Sequence, residues 1–309
     1  MEGTKLQNSL FERHAEQEKL REAIQRAGVS KELVLIVGSS GTGKTALAES
    51  VSKDALLAKG KYDPLERPDG VQPILNAVES LIASVIENDP HRIQESIRQR
   101  MNPDTDSLLF DVIPSLAHLF RYSSGPSAIG QPHQQQRGSA SQKRLAFSLR
   151  SLLACMTSIE HPVVLFLDDL QWAGDASIDL LSLLLTDAPT EGLAILGTCR
   201  DNEVSVAHRL SIALRELEAR GVAISPIALH NWTREQVVSV VDEVLGGEDD
   251  DLASLLCEET NGHVTRSFYY SRLCTKVVPW YATLTCGNSN RSSIYVLGPR
   301  MHHHSSPIG

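Results

Sequence analysis

The chain has 309 residues, of which 41% are hydrophobic and 22% charged, and its formal net charge is −9. This length and composition are typical of a soluble globular protein with one large or two modest domains. The acidic balance argues against general binding to nucleic acids or anionic membranes. No apolar run approaches the roughly 18 to 20 residues of a membrane span, and the polar residues 1–20 do not have the pattern of a signal peptide.

The five cysteines are scattered, without C-x-x-C pairs, at positions 155, 199, 257, 274 and 286. This spacing favours reduced thiols over a disulfide framework or a zinc site. We therefore expect an intracellular protein, and a cytoplasmic compartment is the simplest choice.

The first predicted elements are a short charged helix over residues 10–27 and a buried strand over residues 33–37. A Gly-rich loop follows this strand, and a helical apolar pattern follows the loop. We expect the second helix to run to about Leu57 or Ala58 and to be stopped by Gly60.

The Gly-rich loop fits the pattern G-x-x-x-x-G-K-T and reads Gly38-Ser39-Ser40-Gly41-Thr42-Gly43-Lys44-Thr45. A strand before the loop and a helix after it form the context in which this spacing binds phosphate. The glycines allow a tight turn whose N–H groups form an anion-binding nest, and the helix N-terminus adds partial positive charge. Lys44 would reach the β- and γ-phosphates of a nucleoside triphosphate, and the Thr45 hydroxyl would coordinate Mg²⁺. The alternative is an ordinary Gly/Ser turn between a strand and a helix.

Helical patterns occupy most of the next hundred residues. An amphipathic helix is predicted over 72–87, shorter helices near 90–101 and 107–120, and another helix with an apolar stripe over 145–156. Residues 123–139 are rich in Ser, Gly, Pro and Gln, so we expect a disordered low-complexity loop there.

The second predicted strand, 163–167, is followed by two consecutive carboxylates, Asp168 and Asp169. Ligands of a parallel sheet bind outside the carboxyl ends of its strands, so this pair would lie at the same edge as the Gly-rich loop. Asp168 would hold Mg²⁺ together with Thr45 and water, and Asp169 would polarise the attacking water. The simpler alternative is a turn at the end of a strand, where Asp-Asp pairs are common.

The third predicted strand, 193–198, leads to Arg200 at the same edge. A guanidinium group at that position could contact the γ-phosphate and report whether it is present. The alternative is a surface arginine paired with Asp201 or Glu203.

A weaker fourth strand is expected over 221–229, and Thr233 with Gln236 forms a capping box for a helix over 234–245. Strands that alternate with helices predict an α/β fold, with a parallel sheet flanked by helices.

Residues 263–309 differ from the rest of the chain in composition. They contain none of the 38 acidic residues and five of the 29 Lys and Arg residues, together with clustered aromatic residues and three consecutive histidines. One interpretation is a basic interaction tail. The favoured interpretation is a disordered or non-native stretch outside the evolved domain, such as a truncated, frame-shifted or read-through end.

Taken together, these motifs resemble a known family. Residues 163–173 (Val-Val-Leu-Phe-Leu-Asp-Asp-Leu-Gln-Trp-Ala) and 196–204 (Leu-Gly-Thr-Cys-Arg-Asp-Asn-Glu-Val) are similar to the AAA-type ATPase domain of the STAND signal-transduction NTPases, and more specifically to origin-recognition-like AAA ATPase domains. Residues 11–16 (Phe-Glu-Arg-His-Ala-Glu) are similar to the family's opening Gly-Arg-x-x-Glu box, with Glu12 where glycine is usual. The resemblance covers roughly residues 10–262.

The resemblance implies a P-loop NTPase that uses ATP and Mg²⁺. It places Lys44 and Thr45 in the phosphate loop, and it makes Asp168 the Mg²⁺ carboxylate, Asp169 the catalytic acid and Arg200 the sensor arginine.

It also implies a division of the chain into a helical lead-in (1–30), an ATPase core (31–230), the start of a helical lid (231–262) and the atypical tail (263–309). The family continues from Thr-x-Gly with Asn-Pro-Phe-Phe, whereas Gly262 is followed here by His-Val-Thr-Arg, so we expect a truncated lid.

The leading functional hypothesis is a Mg-ATP-binding switch ATPase with slow turnover, in which the γ-phosphate biases assembly with a protein partner or with another copy of the chain. One alternative is a hydrolysis-deficient nucleotide-binding scaffold or truncated gene product, which the missing lid motif supports. A second is a DNA-engaged origin-recognition-like AAA ATPase, against which the acidic charge and the lack of a basic stripe argue. A small-molecule kinase is the least favoured class, because no acceptor-binding signature is evident.

Overall fold

The structure is a computed structural model, which describes residues 13–65, 70–88, 95–97, 99–101, 109, 112–113, 115–116, 139–186, 190–245 and 250–264. Residues 123–138 of the loop predicted over 123–139 and residues 265–309 of the predicted tail lie outside the described residues, and residue 139 begins a helix. Half of the residues of the helix predicted near 90–101 and most of those of the helix predicted near 107–120 also lie outside them.

Five parallel strands form one sheet in the order β2-β3-β4-β1-β5. The strands are β1 (Glu32–Val37), β2 (Leu56–Lys61), β3 (Val163–Asp168), β4 (Leu193–Cys199) and β5 (Ala223–Ala228). Because β4 lies between β1 and β3, the segments that follow these three strands emerge side by side at one edge of the sheet. The predicted parallel α/β fold is therefore confirmed.

Helices cover both faces of this sheet, and further helices follow the last strand along the chain. The longer helices are α1 (His14–Ala27), α3 (Gln72–Asn88), α4 (Ser139–Met156), α5 (Asp175–Thr186), α6 (Arg209–Ala219), α7 (Arg234–Leu245) and α8 (Asp250–Thr260), and the short α2 (Lys44–Glu49) follows the Gly-rich loop. Within the described residues, no helix combines the length and the apolar character that a membrane crossing requires.

Buried side chains on the two faces of the sheet form two large apolar clusters. The larger cluster packs α3, α4, α5 and α6 against one face, and the smaller packs α1 and α2 against the other. A strand that is covered on both faces has no side exposed to solvent, so both of its faces are apolar. Residues 163–167 of β3 accordingly form a continuous apolar run, and all six positions of the strand are buried.

The predicted helix after the Gly-rich loop was wrong in its extent. The α-helix ends at Glu49 and a 3-10 turn covers Ser50–Lys53, whereas the predicted end of the helix and its stop at Gly60 fall within the strand β2, Leu56–Lys61. Within the described part of the chain this edge strand pairs with β3 alone, over the full length from Leu56 opposite Val163 to Lys61 opposite Asp168. The pairing with β3 overrides the helical pattern that the sequence shows locally.

The last two described helices pack against each other around Trp232 in an apolar cluster of their own. The capping box predicted at the start of α7 is present, because the Thr233 amide donates to Gln236 Oε1 at 3.0 Å and the Gln236 amide donates to Thr233 Oγ1 at 3.4 Å.

Candidate nucleotide site

The Gly-rich loop turns between the end of β1 and the start of α2. Gly41 and Gly43 have φ angles of +75° and +93°, in the left-handed region that glycine adopts without steric cost. Gly38 is also needed as glycine, because a β-carbon there would lie 2.4 Å from the carbonyl oxygen of Leu229. Ser39 and Ser40 form the exposed tip of the loop.

The side chain of Lys44 folds back onto the loop in which it lies. Its Nζ donates to the carbonyl oxygens of Gly38 at 2.8 Å and Ser39 at 2.7 Å, and the Thr42 hydroxyl donates to the same Ser39 carbonyl at 3.0 Å. Burial lowers the pKa of Lys44, and the nearby carboxylate of Asp169 opposes that shift. The ammonium group is thus held at the centre of the loop in a partly desolvated position, where an anion would be attracted strongly.

The carboxylate of Asp168 meets the loop at the end of β3. The Thr45 hydroxyl donates to its two oxygens at 3.2 and 3.1 Å, and the Thr198 hydroxyl, from β4, lies 2.6 Å from Oδ1. Asp168 is almost fully buried, so these hydroxyls supply the hydrogen bonds that a buried carboxylate needs.

Asp169 has the backbone conformation φ 60°, ψ 48°, which non-glycine residues seldom adopt. Its amide donates to Thr198 Oγ1 at 2.9 Å, which fixes this left-handed turn to the neighbouring strand. The Asp169 carboxylate then meets three side chains: Gln171 Nε2 at 2.9 Å, Arg200 Nε at 3.5 Å and Lys61 Nζ at 3.9 Å. An uncommon backbone conformation that is held in this way is typical of functional sites.

Arg200 follows β4 and makes contacts of two kinds. Its guanidinium reaches Asp169 on one side, while Nη1 pairs with Glu203 Oε1 at 2.6 Å and the group lies over the Trp172 ring, 4.7 Å from the ring centroid. The ion pair between Arg200 and Glu203, which is the contact expected of a surface arginine, is therefore present. The same side chain also lies at the site edge, beside Asp169.

Comparison with known proteins identifies the family to which this chain belongs. The family model described as "AAA ATPase domain" matches residues 9–196, which is more than half of the chain. The chain belongs to the AAA ATPase domain family.

One curated relative of this AAA domain is distant in sequence. The domain is 26% identical over 191 residues to hybrid signal transduction histidine kinase G of Dictyostelium discoideum, a match that covers 58% of this chain and 5% of that protein. The chain thus spans a small part of the length of this curated relative.

Similar solved structures include a Walker-type ATPase of Pyrococcus abyssi (TM-score 0.47, 14% identity, 90% of this chain and 75% of that one) and the ORC2 protein of Aeropyrum pernix (0.46, 14%, 91% and 66%). They also include a STAND protein with a tetratricopeptide repeat sensor from Pyrococcus horikoshii (0.36, 14%, 79% and 28%).

Two more segments of the AAA domain contact the Gly-rich loop. The buried guanidinium of Arg13, which precedes α1, donates to the Thr42 carbonyl at 3.5 Å and to the carbonyl of His230, beyond β5. On the other side, a β-carbon on Gly41 would lie 1.9 Å from Cε1 of His263, so the imidazole ring occupies the space beside that glycine. The loop is therefore held between the start of the described chain and the turn after α8.

The oxygen ligands at the site fit a magnesium ion bound together with a nucleotide. Mg²⁺ in phosphate-transfer sites takes one or two protein oxygens and completes its shell with water and phosphate oxygens. The Thr45 hydroxyl and the Asp168 carboxylate converge in this way. Among the described residues no group of three or more His, Cys, Asp and Glu side chains could hold a metal ion.

Three residues of this site were given no role from the sequence. Thr198 could have been assigned one, because a hydroxyl residue near the end of an otherwise apolar strand needs a partner. Lys61 could not be placed, because the residues before it were interpreted as the end of a helix stopped by Gly60 and the residues from 61 onward as a turn. Gln171 lies in the stretch that resembles the family, but its contacts depend on how the turn after β3 folds.

Proposed function

We propose that this AAA domain is a Mg-ATP-binding switch ATPase with slow hydrolysis. The observation that carries the proposal is the convergence of five side chains at one edge of the sheet, although they come from three separate stretches of the chain. These are Lys44 and Thr45 after β1, Asp168 and Asp169 at the end of β3, and Arg200 after β4.

In this proposal the loop binds the phosphates of ATP. The backbone N–H groups of the turn through Gly41 and Gly43 form the anion-binding nest, and the Lys44 ammonium exchanges its two carbonyl acceptors for β- and γ-phosphate oxygens. Carbonyl acceptors are neutral and phosphate oxygens are charged, so the exchange strengthens the hydrogen bonds of Lys44.

Thr45 and Asp168 would hold Mg²⁺, which neutralises charge on the β- and γ-phosphates when it is bound. Asp169 would orient a water molecule and accept its proton. The water oxygen forms a bond to the γ-phosphorus while the bond from that phosphorus to the ADP oxygen breaks, and the proton leaves with the phosphate product. Arg200 is close enough to Asp169, at 3.5 Å, to contact the same γ-phosphoryl group.

We further propose that the γ-phosphate acts as a signal, through assembly with a protein partner or a second copy of the chain. The relative in Dictyostelium is named as a signal transduction kinase and one structural neighbour as a STAND protein, and these names motivate the proposal. Residues 31–230 would form the ATPase core, and residues 231–262 would form the start of a lid, which in the structure carries its own apolar cluster around Trp232.

The test is to titrate the purified chain with Mg-ATP and Mg-ADP by calorimetry, and to follow phosphate release from the same samples. The proposal expects binding of both nucleotides and slow release of phosphate. Binding without release would support the nucleotide-binding scaffold instead. No binding of either nucleotide would contradict the proposal, and tight, salt-sensitive binding of duplex DNA would favour the origin-recognition alternative.

A further inference from the structure

Gln171 connects the carboxylate of Asp169 with the main chain of Arg200. Its Nε2 donates to Asp169 Oδ1 at 2.9 Å, and its Oε1 accepts from the Arg200 amide at 3.3 Å. The Arg200 Nε is 3.5 Å from that same Oδ1 atom, so the three residues form a closed ring of polar contacts across β3 and β4.

The orientation of this side-chain amide follows from its partners. A carboxylate only accepts hydrogen bonds and a backbone N–H only donates, so the NH₂ group must face Asp169 and the oxygen must face Arg200. The reverse orientation would bring two acceptors together at one end and two donors together at the other. The amide therefore fits between these two partners in one orientation.

The position of Gln171 is also well fixed. It lies in the 3-10 turn Leu170–Trp172, and this turn is closed by hydrogen bonds from Trp172 to Asp169 and from Ala173 to Leu170, both at 3.0 Å. Leu170 is fully buried and Gln171 is 5% exposed. A buried amide in a turn anchored by apolar packing has little rotational freedom. Its hydrogen bond to Asp169 therefore also restricts the rotation of that carboxylate.

We propose that Gln171 is a positioning residue for ATP hydrolysis, which sets the Asp169 carboxylate at a fixed distance from Arg200. This inference rests on the proposed function, because it assigns Gln171 to the same reaction. Gln171 touches neither the Gly-rich loop nor the Thr45–Asp168 pair in any of its hydrogen bonds named above, so its effect falls on the reaction step and not on nucleotide binding. Displacement of a catalytic group by about 1 Å can cost on the order of 100-fold in rate.

The experiment compares Gln171→Met, Gln171→Glu and the control Gln72→Met in phosphate release and in Mg-ATP affinity. Gln171→Met loses both hydrogen bonds. Gln171→Glu keeps the acceptor for the Arg200 amide and nearly the same shape, but it replaces the donor to Asp169 with a second carboxylate oxygen, so the contact with Asp169 becomes repulsive. Gln72 is exposed on α3 and donates to Asn76 at 2.8 Å, so its replacement tests the loss of a glutamine hydrogen bond that does not involve Asp169 or Arg200.

We expect kcat to fall by about 10- to 100-fold in both Gln171 variants, while the Kd for Mg-ATP stays within about threefold of the wild type. Gln72→Met should match the wild type in both. If Gln171→Met does not melt cooperatively, Gln171→Glu decides the question. The inference is overturned if kcat is unchanged, or if Kd rises by the same factor as kcat falls, since that would be a structural effect.

The proposed function can fail separately from this inference. A wild-type chain that does not bind Mg-ATP would contradict the proposed function as a whole. A wild-type chain that binds Mg-ATP without releasing phosphate would overturn the role of Gln171 and leave nucleotide binding intact.

Discussion

Thr45 and Asp168 are joined by hydrogen bonds of 3.1 and 3.2 Å although 123 residues separate them in the chain. The hydroxyl follows β1 and the carboxylate ends β3, and β4 lies between these two strands in the sheet. The contact therefore depends on the correct order of three strands. It also gives the first prediction, because the same two groups would hold Mg²⁺.

Replacement of Thr45 by alanine should remove most of the increase in ATP affinity that Mg²⁺ provides. The remaining Asp168 oxygens would bind the ion without the hydroxyl that faces them, while the loop amides and Lys44 would still bind phosphate. Calorimetric titration of ATP with Mg²⁺ and with EDTA measures the difference. Thr186→Ala, on α5, removes a threonine hydroxyl that donates within its own helix at 2.8 Å and should retain the full Mg²⁺ effect. A full Mg²⁺ effect in Thr45→Ala would contradict the assignment.

Because Asp169 has a left-handed backbone conformation, its replacement by asparagine and its replacement by alanine should differ in their effect on stability. Asparagine tolerates φ 60° and alanine does not, so Asp169→Ala should be less stable than Asp169→Asn by about 1 to 2 kcal/mol. Denaturant titration of both variants measures this difference. Equal stabilities would show that the backbone at this position is not strained.

Asp169→Asn should also lower the rate of phosphate release by at least about 100-fold, because an amide cannot accept the proton of water. Its affinity for Mg-ATP should change far less than this rate, since the nearby Asp169 carboxylate acts on Lys44 through its charge and makes none of the hydrogen bonds to the Gly-rich loop described above. A variant that releases phosphate at the wild-type rate would exclude Asp169 as the general base.

The stacking of Arg200 on Trp172 offers an optical test of the sensor role. If the γ-phosphate attracts the guanidinium, Mg-ATP should change the fluorescence of Trp172 and Mg-ADP should not, because a cation 4.7 Å from the indole would move away. Both Trp172→Phe and Arg200→Ala should lose the ATP-specific change. The same response to ATP and ADP in the wild type would argue that Arg200 stays with Glu203 in both states.

Burial raises the pKa of Tyr62 to about 12, and the phenol lies just beyond β2. The unfolded chain releases this proton near pH 10 and the folded chain does not, so the stability contributed by the neutral phenol is lost as pH rises from about 10 to 12. At pH 11 the loss should be about 1 kcal/mol relative to pH 9.

Tyr62→Phe removes the titrating group and keeps the ring, so its stability should fall less between pH 9 and pH 11. Denaturant titration of both proteins at these two pH values measures the difference. The thiol of Cys199, whose pKa burial raises to about 11, titrates in both proteins and cancels in the comparison. Parallel loss of stability in the two proteins would contradict the buried position of Tyr62.

The parts of this fold that the sequence predicted are those in which local pattern and tertiary environment agree. The strands β1, β3 and β4 are continuous apolar runs because helices cover both faces of the sheet, and the glycine spacing of the loop is a local requirement of its turn. These features placed Lys44, Asp168 and Arg200 at one edge before the strand order was known.

The parts that were missed depend on contacts between distant segments. The sequence of β2 contains two lysines and a glycine, and among the described residues its strand partner is β3, so the pairing with β3 accounts for its being a strand. Gly60 was interpreted as the end of a helix, whereas a β-carbon there would lie 2.2 Å from the Pro73 carbonyl. An isolated glycine in a strand often marks such a close approach of two backbones. The error also hid Lys61, which β2 brings within 3.9 Å of Asp169.

The most direct test of Mg-ATP binding at the Gly-rich loop is the thermal melt of the purified chain with and without Mg-ATP, beside the Lys44→Ala variant. At roughly 100 times the Kd, bound nucleotide should add about 2.7 kcal/mol to the free energy of unfolding and raise the melting midpoint by a few degrees. We expect this shift in the wild type and its loss in Lys44→Ala, each measured against the same protein's midpoint without nucleotide. A cooperative wild-type melt that Mg-ATP does not move would contradict it.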